Sequence, residues 1–167
     1  ARRGWTRLMG KPLMHLTQFT NYALRTLMTA GLRGSDLTRV QDVADGFGIA
    51  RTHVVKCVHQ LGAWGFLENV RGRHGGFRLA RPANQITVGE VVRRTEDSLC
   101  LVECFDPATS TCPVKDVCRL NVGLKQALAA FLAVLDDMTI ADIVANDHEL
   151  APRIGLERMP VRGAKAA

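Results

Sequence analysis

The sequence predicts a mainly α fold with a small β-hairpin wing: a winged helix-turn-helix followed by a long C-terminal dimerisation helix. Three observations predict it. Two short apolar-periodic segments between residues 38 and 63 are joined by a glycine-bearing turn, the pattern of a helix-turn-helix. Two β-prone runs, residues 66–70 and 77–80, flank the turn Arg71-Gly72-Arg73-His74-Gly75-Gly76, the pattern of a hairpin. Beyond residue 118, Leu120, Leu124, Ala127, Leu128, Phe131 and Leu135 form one helical stripe, with Leu132 and Val134 beside it. Such a stripe on a terminal helix serves a core or a dimer seam.

The chain has 167 residues and 18.3 kDa, the size of one domain with an appended element, and 47% hydrophobic content fits a globular protein. No apolar run approaches the roughly 18 residues a membrane helix needs. The basic N-terminus is not followed by an apolar stretch, so no secretory signal and a cytoplasmic location are expected. In that reducing compartment, clustered thiols hold metal or do redox work more often than they form disulfides. The net charge of +6 is uneven: residues 1–80 carry 12 Lys/Arg against 4 Asp/Glu, and residues 81–167 carry 10 against 12. The basic half is therefore the candidate nucleic-acid face, with a plain solvated surface as the competing reading from charge alone.

Residues 1–13 show no amphipathic period and are read as a flexible N-terminal extension. Residues 14–97 form the DNA-binding unit. Its first helix spans residues 16 to about 32, with Phe19, Ala23, Leu24, Leu27, Met28 and Ala30 at helical spacing and Gly31 and Gly34 as stop signals. Thr38 is expected to cap a second helix with Val40, Val43, Ala44 and Phe47 on its apolar face. The third helix runs from about 51 to 63, with Val54, Val55, Val58 and Leu61 inward and Cys57 as a small core residue. In a helix-turn-helix this helix enters the major groove, and its first residues reach base edges. Arg51, Thr52, His53 and Lys56 are therefore the candidate DNA readers, since Arg forks onto guanine and Lys reaches guanine or phosphate. Arg71, Arg73 and His74 at the wing tip, and Arg78 on the return strand, suit phosphate or a narrow minor groove. A phosphate loop of the Gly-Lys-Ser/Thr kind is excluded, because that ending is absent.

Pro82 ends the wing. Thr87 and Glu90 read as a capping box opening a helix to about residue 96. Residues 98–118 are a cysteine-rich loop with the spacing Cys100-x3-Cys104-x7-Cys112-x5-Cys118. Four thiolates suit tetrahedral zinc or an iron–sulfur cluster equally, and a redox thiol pair is a third reading. Residues 119–146 hold the long dimerisation helix and a short helix capped by Thr139, and residues 147–167 are read as a C-terminal tail whose last ~15 residues are expected to be loosely ordered. No Ser/His/Asp order or paired-carboxylate pocket is visible, so the chain is not expected to be an enzyme.

These residues carry a recognisable pattern. The text Met14-His15-Leu16-Thr17-Gln18-Phe19-Thr20-Asn21-Tyr22-Ala23-Leu24-Arg25, His53-Val54-Val55-Lys56, Val70-Arg71-Gly72-Arg73 with Gly75-Gly76, Val88-Gly89-Glu90-Val91-Val92-Arg93 and the triad Cys104, Cys112, Cys118 resembles the bacterial iron–sulfur winged-helix repressors. That family includes NsrR, IscR and RirA, and residues 14–146 take part in the likeness. His59-Gln60-Leu61-Gly62 and Leu101-Val102-Glu103-Cys104-Phe105-Asp106 are most similar to its nitric-oxide-sensing NsrR branch.

The resemblance implies a homodimer on a double-stranded DNA operator, with its long helices crossed and no membrane partner. It implies an iron–sulfur cluster on Cys104, Cys112 and Cys118, with 4Fe-4S favoured and 2Fe-2S as the alternative. It implies a repressor that releases DNA when nitric oxide nitrosylates the cluster. The fourth ligand departs from the family pattern. An Asp supplied by the partner subunit in some members is matched by Asn21, and a His three residues after the third cysteine is matched by Asn121. The candidates are then Asn21 from the partner subunit, Cys100, a carboxylate such as Glu103, or a small molecule. The rival readings are an iron- or cluster-status regulator of the RirA or IscR kind, which Arg94-Thr95-Glu96-Asp97 resembles, a zinc-stabilised DNA-binding module, and a thiol redox enzyme using Cys100 and Cys104.

Overall fold

The structure, a computed structural model, describes residues 15–106, 108 and 110–156. The expected N-terminal extension and the end of the expected tail lie outside the described residues. Among the described residues, seven α-helices and one hairpin follow in order: α1 (Gln18–Arg33), α2 (Val40–Phe47), α3 (Arg51–Ala63), β1 (Leu67–Val70), β2 (Gly76–Leu79), α4 (Val88–Thr95), α5 (Arg119–Asp137), α6 (Ile140–Ile143) and α7 (Asp147–Arg153). Short 3-10 turns at Ala83–Gln85 and Glu103–Phe105 interrupt the connections.

Apolar periodicity sets the core. Ala23, Leu27 and Ala30 of α1 meet Val43 and Ala44 of α2, Val54 and Leu61 of α3, and Phe66 and Phe77 from the wing, all buried. Ile86, Val91 and Ile140 complete the cluster from the C-terminal side. The wing pairs Leu67 with Leu79 and Val70 with Gly76 in antiparallel register. It is also bolted to the head: the Thr38 N–H donates to the Phe77 carbonyl (2.8 Å) and the Phe77 N–H to the Thr38 carbonyl (2.9 Å).

That bridge corrects one expectation. Thr38 is fully buried in it, so α2 begins one residue later, with Arg39 as N-cap. The Arg39 N–H donates to the Asp42 carboxylate at 3.0 Å, so backbone and carboxylate do the capping that a hydroxyl was expected to do. Val55 is a second correction. It is 44% exposed, and the buried stripe of α3 is Val54, Cys57 and Leu61. Those three recur at three and four, whereas Val55 is turned about 100° away on a helix of 3.6 residues per turn. At α4 the Thr87 hydroxyl accepts from the Glu90 N–H (3.1 Å) as expected, but the Glu90 carboxylate turns to the Arg81 guanidinium (2.6 and 2.7 Å). A charged donor, here Arg81 Nη2 meeting both carboxylate oxygens, outcompetes a neutral backbone donor. Finally, the segment read as tail contains α7, and Leu156 beyond it is buried to 5%. The backbone of Ile154 lies so close to Gly46 of α2 that a Cβ there would meet its carbonyl oxygen at 2.8 Å.

The α4–α5 contact is similarly tight. A Cβ on Gly89 would fall 2.0 Å from Asp136 Oδ1 and 2.9 Å from the Asp136 backbone nitrogen. The Arg93 guanidinium grips the same carboxylate through both nitrogens, Nη2 donating to Oδ2 at 2.7 Å and Nη1 to Oδ1. This hydrogen-bonded pair holds the Asp136 carboxyl below the usual carboxylate range. The pair is half exposed, so its value is register more than stability. Most of α5 faces away from the core: Leu120, Val122 and Val134 are 68%, 58% and 61% exposed. Among the residues of α5 only Asn121 is buried.

Gly89→Ala should therefore force α5 off α4 and cost about 1–3 kcal/mol of stability, the range for overpacking. A urea titration reads it, and an unchanged midpoint would contradict this contact.

Candidate nucleic-acid interface and cysteine loop

At the start of α3, Arg51, Thr52, His53 and Lys56 are all exposed. The His53 ring lies 5.7 Å from that of Tyr22 on α1, tilted by 40°. At the wing tip Arg71, Arg73 and His74 are exposed. The turn needs its glycines: Gly72 has φ 115°, and a Cβ on Gly75 would meet the Val70 carbonyl oxygen at 2.3 Å. Arg78 is placed differently. It stands opposite Glu68 across the hairpin and donates to both carboxylate oxygens, at 3.0 and 3.1 Å. Its charge is compensated within the wing, and it stiffens the strand pair.

A groove of about 620 Å³ runs between the start of α2, the start of α3 and the wing. Arg39 and Gln41 line one side, Arg73 and His74 the other, and Arg51 reaches it from α3. No carboxylate lines this groove. Arg39, Arg51, Lys56, Arg71 and Arg73 have no carboxylate partner among the described residues. Arg39 and Gln41 were not among the residues singled out from sequence. Arg39 sits at a helix boundary that the expected Thr38 cap misplaced by one residue, and no periodicity marks a boundary residue. A face of unopposed cations on a rigid head can hold a polyanion.

The cysteine loop joins α4 to α5. Cys100 is exposed, Cys104 sits half-buried in the 3-10 turn, Cys112 is half-buried, and Cys118 is half-buried as the N-cap of α5. None is in a disulfide. Glu103 accepts from the Thr111 N–H (2.8 Å) and hydroxyl (2.9 Å), a staple across the segment between Cys104 and Cys112. The Thr111 N–H, and then its hydroxyl, hold the Glu103 carboxyl below the usual range. From α5, the Lys125 ammonium lies 6.0 Å from the Phe105 ring centre.

Among the described residues no three His, Cys, Asp or Glu side chains stand close enough together to hold a metal ion. The loop therefore brings its thiols into one segment without gathering them. The donor set itself fits a thiolate-bound metal group: three unpaired, half-buried sulfurs within one loop. One turn after Cys118, buried Asn121 donates Nδ2 to the Lys115 carbonyl (3.3 Å), while its Oδ1 has no hydrogen-bond partner. A buried oxygen left without a hydrogen-bond partner one turn from Cys118 fits a loop that takes up a further group. Asn21 is exposed on the first turn of α1. Cys57 is apart from all of this, 1% exposed, with burial pushing its thiol up to about 11 against the smaller opposing effect of Lys56. It is packing, not chemistry.

The loop is also wired to the head. Glu96, the C-cap of α4 and two residues before the loop, accepts from the Thr17 N–H (2.7 Å), the Thr17 hydroxyl (3.1 Å) and the Thr20 hydroxyl. Thr20 and Thr95 hydroxyls lie 2.8 Å apart in the same network.

Known proteins resemble the chain along this whole arrangement. The Rrf2 family, described as iron-dependent transcriptional regulators, matches residues 16–146. The HTH-type transcriptional regulator NsrR of Shouchella clausii is 45% identical over 138 residues, covering 82% of this chain and 93% of that protein. Protein aau3 of Rhizobium meliloti is 42% identical over 154 residues, covering 92% and 99%. The solved structure of IscR from T. potens superposes with a TM-score of 0.65 at 22% identity, covering 81% of this chain and 90% of that one, and so shares the fold. CymR of B. subtilis does so with a TM-score of 0.63 at 21% identity, covering 80% and 98%. No helix among the described residues is long and apolar enough to cross a membrane. With a family match over most of its length, and relatives named as regulators and not as enzymes, the chain belongs to the Rrf2 family of transcriptional regulators.

Proposed function

We propose that the protein is a homodimeric, DNA-binding repressor that carries an iron–sulfur cluster in loop 98–118 and releases its operator in response to nitric oxide. One observation carries this reading: a loop of four unpaired thiols is inserted between α4, which is hydrogen-bonded to the head, and α5, which leaves Leu120, Phe131 and Val134 exposed. A change in that loop acts on the DNA-binding head and on the dimer seam together. Relatives named NsrR at 45% and 46% identity support nitric oxide as the signal, because the NsrR branch is the one that senses it.

Cys104, Cys112 and Cys118 would hold the cluster, with 4Fe-4S favoured over 2Fe-2S by the same likeness. Asn21 of a second copy, Cys100 or Glu103 would complete the coordination. When bound, the cluster supplies iron on which nitric oxide can act. The chain's own part is to close loop 98–118 around its thiolates and hold Cys118 at the start of α5. Loss of that closure frees the N-terminal end of α5. The two α5 helices then shift at their apolar seam, Leu120, Phe131 and Val134, and the two α3 helices lose their half-site spacing. Arg51, Thr52, His53 and Lys56 read bases, and Arg71, Arg73 and His74 hold the adjacent backbone or minor groove.

The family description, iron-dependent, favours a second reading in which cluster loss under iron starvation is the signal. An anaerobic titration separates the two. Nitric oxide added to the coloured holoprotein should bleach its visible absorption and release DNA over the same range. Bleaching with the DNA still bound would contradict nitric oxide sensing. For base reading, Arg51→Ala should cost about 1–3 kcal/mol on the operator and little on random duplex. Equal losses on both would make Arg51 a phosphate contact.

A further inference from the structure

The groove beside the wing, which Arg51 reaches from α3, also carries cations that the base-reading assignment leaves without a role. Arg39 faces it from the start of α2, and Arg73 and His74 face it from the wing. Both arginines are exposed, and neither is spent on a carboxylate among the described residues. The walls cannot drift apart, because Thr38 and Phe77, the neighbours of those walls, exchange two backbone hydrogen bonds at 2.8 and 2.9 Å. At Gly76 the wing backbone approaches so closely that a Cβ would meet the Thr38 carbonyl oxygen at 2.5 Å. Two unopposed guanidinium groups on a groove that no carboxylate lines match the charge of a phosphodiester, which Arg can bind through a planar fork.

We propose that this groove is a backbone clamp in which one DNA strand is held by phosphate contacts from both sides, Arg39 on the head and Arg73 on the wing. Arg39 is then a DNA-contact residue that sets affinity and register without reading sequence. The inference rests on the DNA-binding reading above and adds to it a residue outside the recognition helix and the wing. Among the described residues the Arg39 guanidinium makes no ion pair; it is the Arg39 backbone N–H that donates to Asp42.

The test is fluorescence anisotropy of the anaerobic holoprotein on operator and random duplexes across a salt series. Arg39→Gln should weaken both duplexes alike, by roughly tenfold near 0.1 M salt, and lower the slope of log affinity against log salt by about one. Arg39→Lys should restore most of the slope, which a purely structural role for residue 39 would not predict. Arg94→Gln, an exposed change on α4, serves as the control. Thermal unfolding checks that Arg39→Gln leaves the head folded. Three results overturn the clamp: unchanged affinity and slope in Arg39→Gln, a loss confined to the operator, or competition by inorganic phosphate at matched ionic strength, which would mark a free-anion pocket. A wild-type protein that binds neither duplex would sink the DNA-binding reading itself, and that outcome is distinct from all three.

Discussion

The carboxylate of Glu96 is the contact on which the rest of the arrangement turns. It lies where α4 ends and the cysteine loop is about to begin, and it accepts from Thr17 and Thr20 at the start of α1. An α-helix leaves its first N–H groups without partners, and here a residue from the far side of the sequence helps satisfy that need. The consequence is mechanical. Independent motion of the first helix of the head and the entry of the loop would break these three hydrogen bonds. On its other flank α4 is held to α5 by Arg93 and Asp136, with Gly89 letting the two backbones come close. α4 thus joins three bodies: the head, the loop and the long helix.

That placement gives the proposed control of DNA by the loop a physical route. The loop needs only to pull or release its two ends. One end reaches the head through Glu96. The other is Cys118, the N-cap of α5. The exposed apolar stripe of α5 is where a small displacement would be felt by a second copy, since interfaces repack between discrete states and do not deform continuously. The head itself is built to stay rigid during such a change. The wing is fixed by the Thr38–Phe77 bridge and stiffened by Glu68 and Arg78.

Much of this was legible in the sequence, for physical reasons that can be named. The third helix is found at the expected limits, Arg51–Ala63, because a polar start and a three-and-four apolar stripe leave little choice. The hairpin was readable from glycines whose backbone geometry no other residue would tolerate. The start of α5 after Cys118 was readable from the end of the proline-interrupted segment. What was not legible depends on tertiary partners. Thr38 looked like a cap until Phe77 took its backbone. Glu90 looked like the closing half of a capping box until Arg81 took its carboxylate. Val55 looked like core, since a run of two valines does not say which one faces in. The α7 helix was hidden by Pro152 and by a composition that resembles tail. At the candidate site, the cations of α3 and the wing tip could be named in advance. Arg39 could not, because only the folded chain brings the start of α2 to the wing. Nor does sequence show that Arg78 is already paired.

The central claim is that the state of the cysteine loop and the hold on DNA are coupled. Coupling between two binding events is reciprocal. The most direct measurement compares operator affinity of the holoprotein and the metal-free protein, and sets beside it the equilibrium hold on the cluster, by chelator competition, with and without operator. The account predicts that metal loading tightens DNA and that operator tightens the hold on the cluster by the same factor. Equal operator affinity for the loaded and metal-free protein would contradict it.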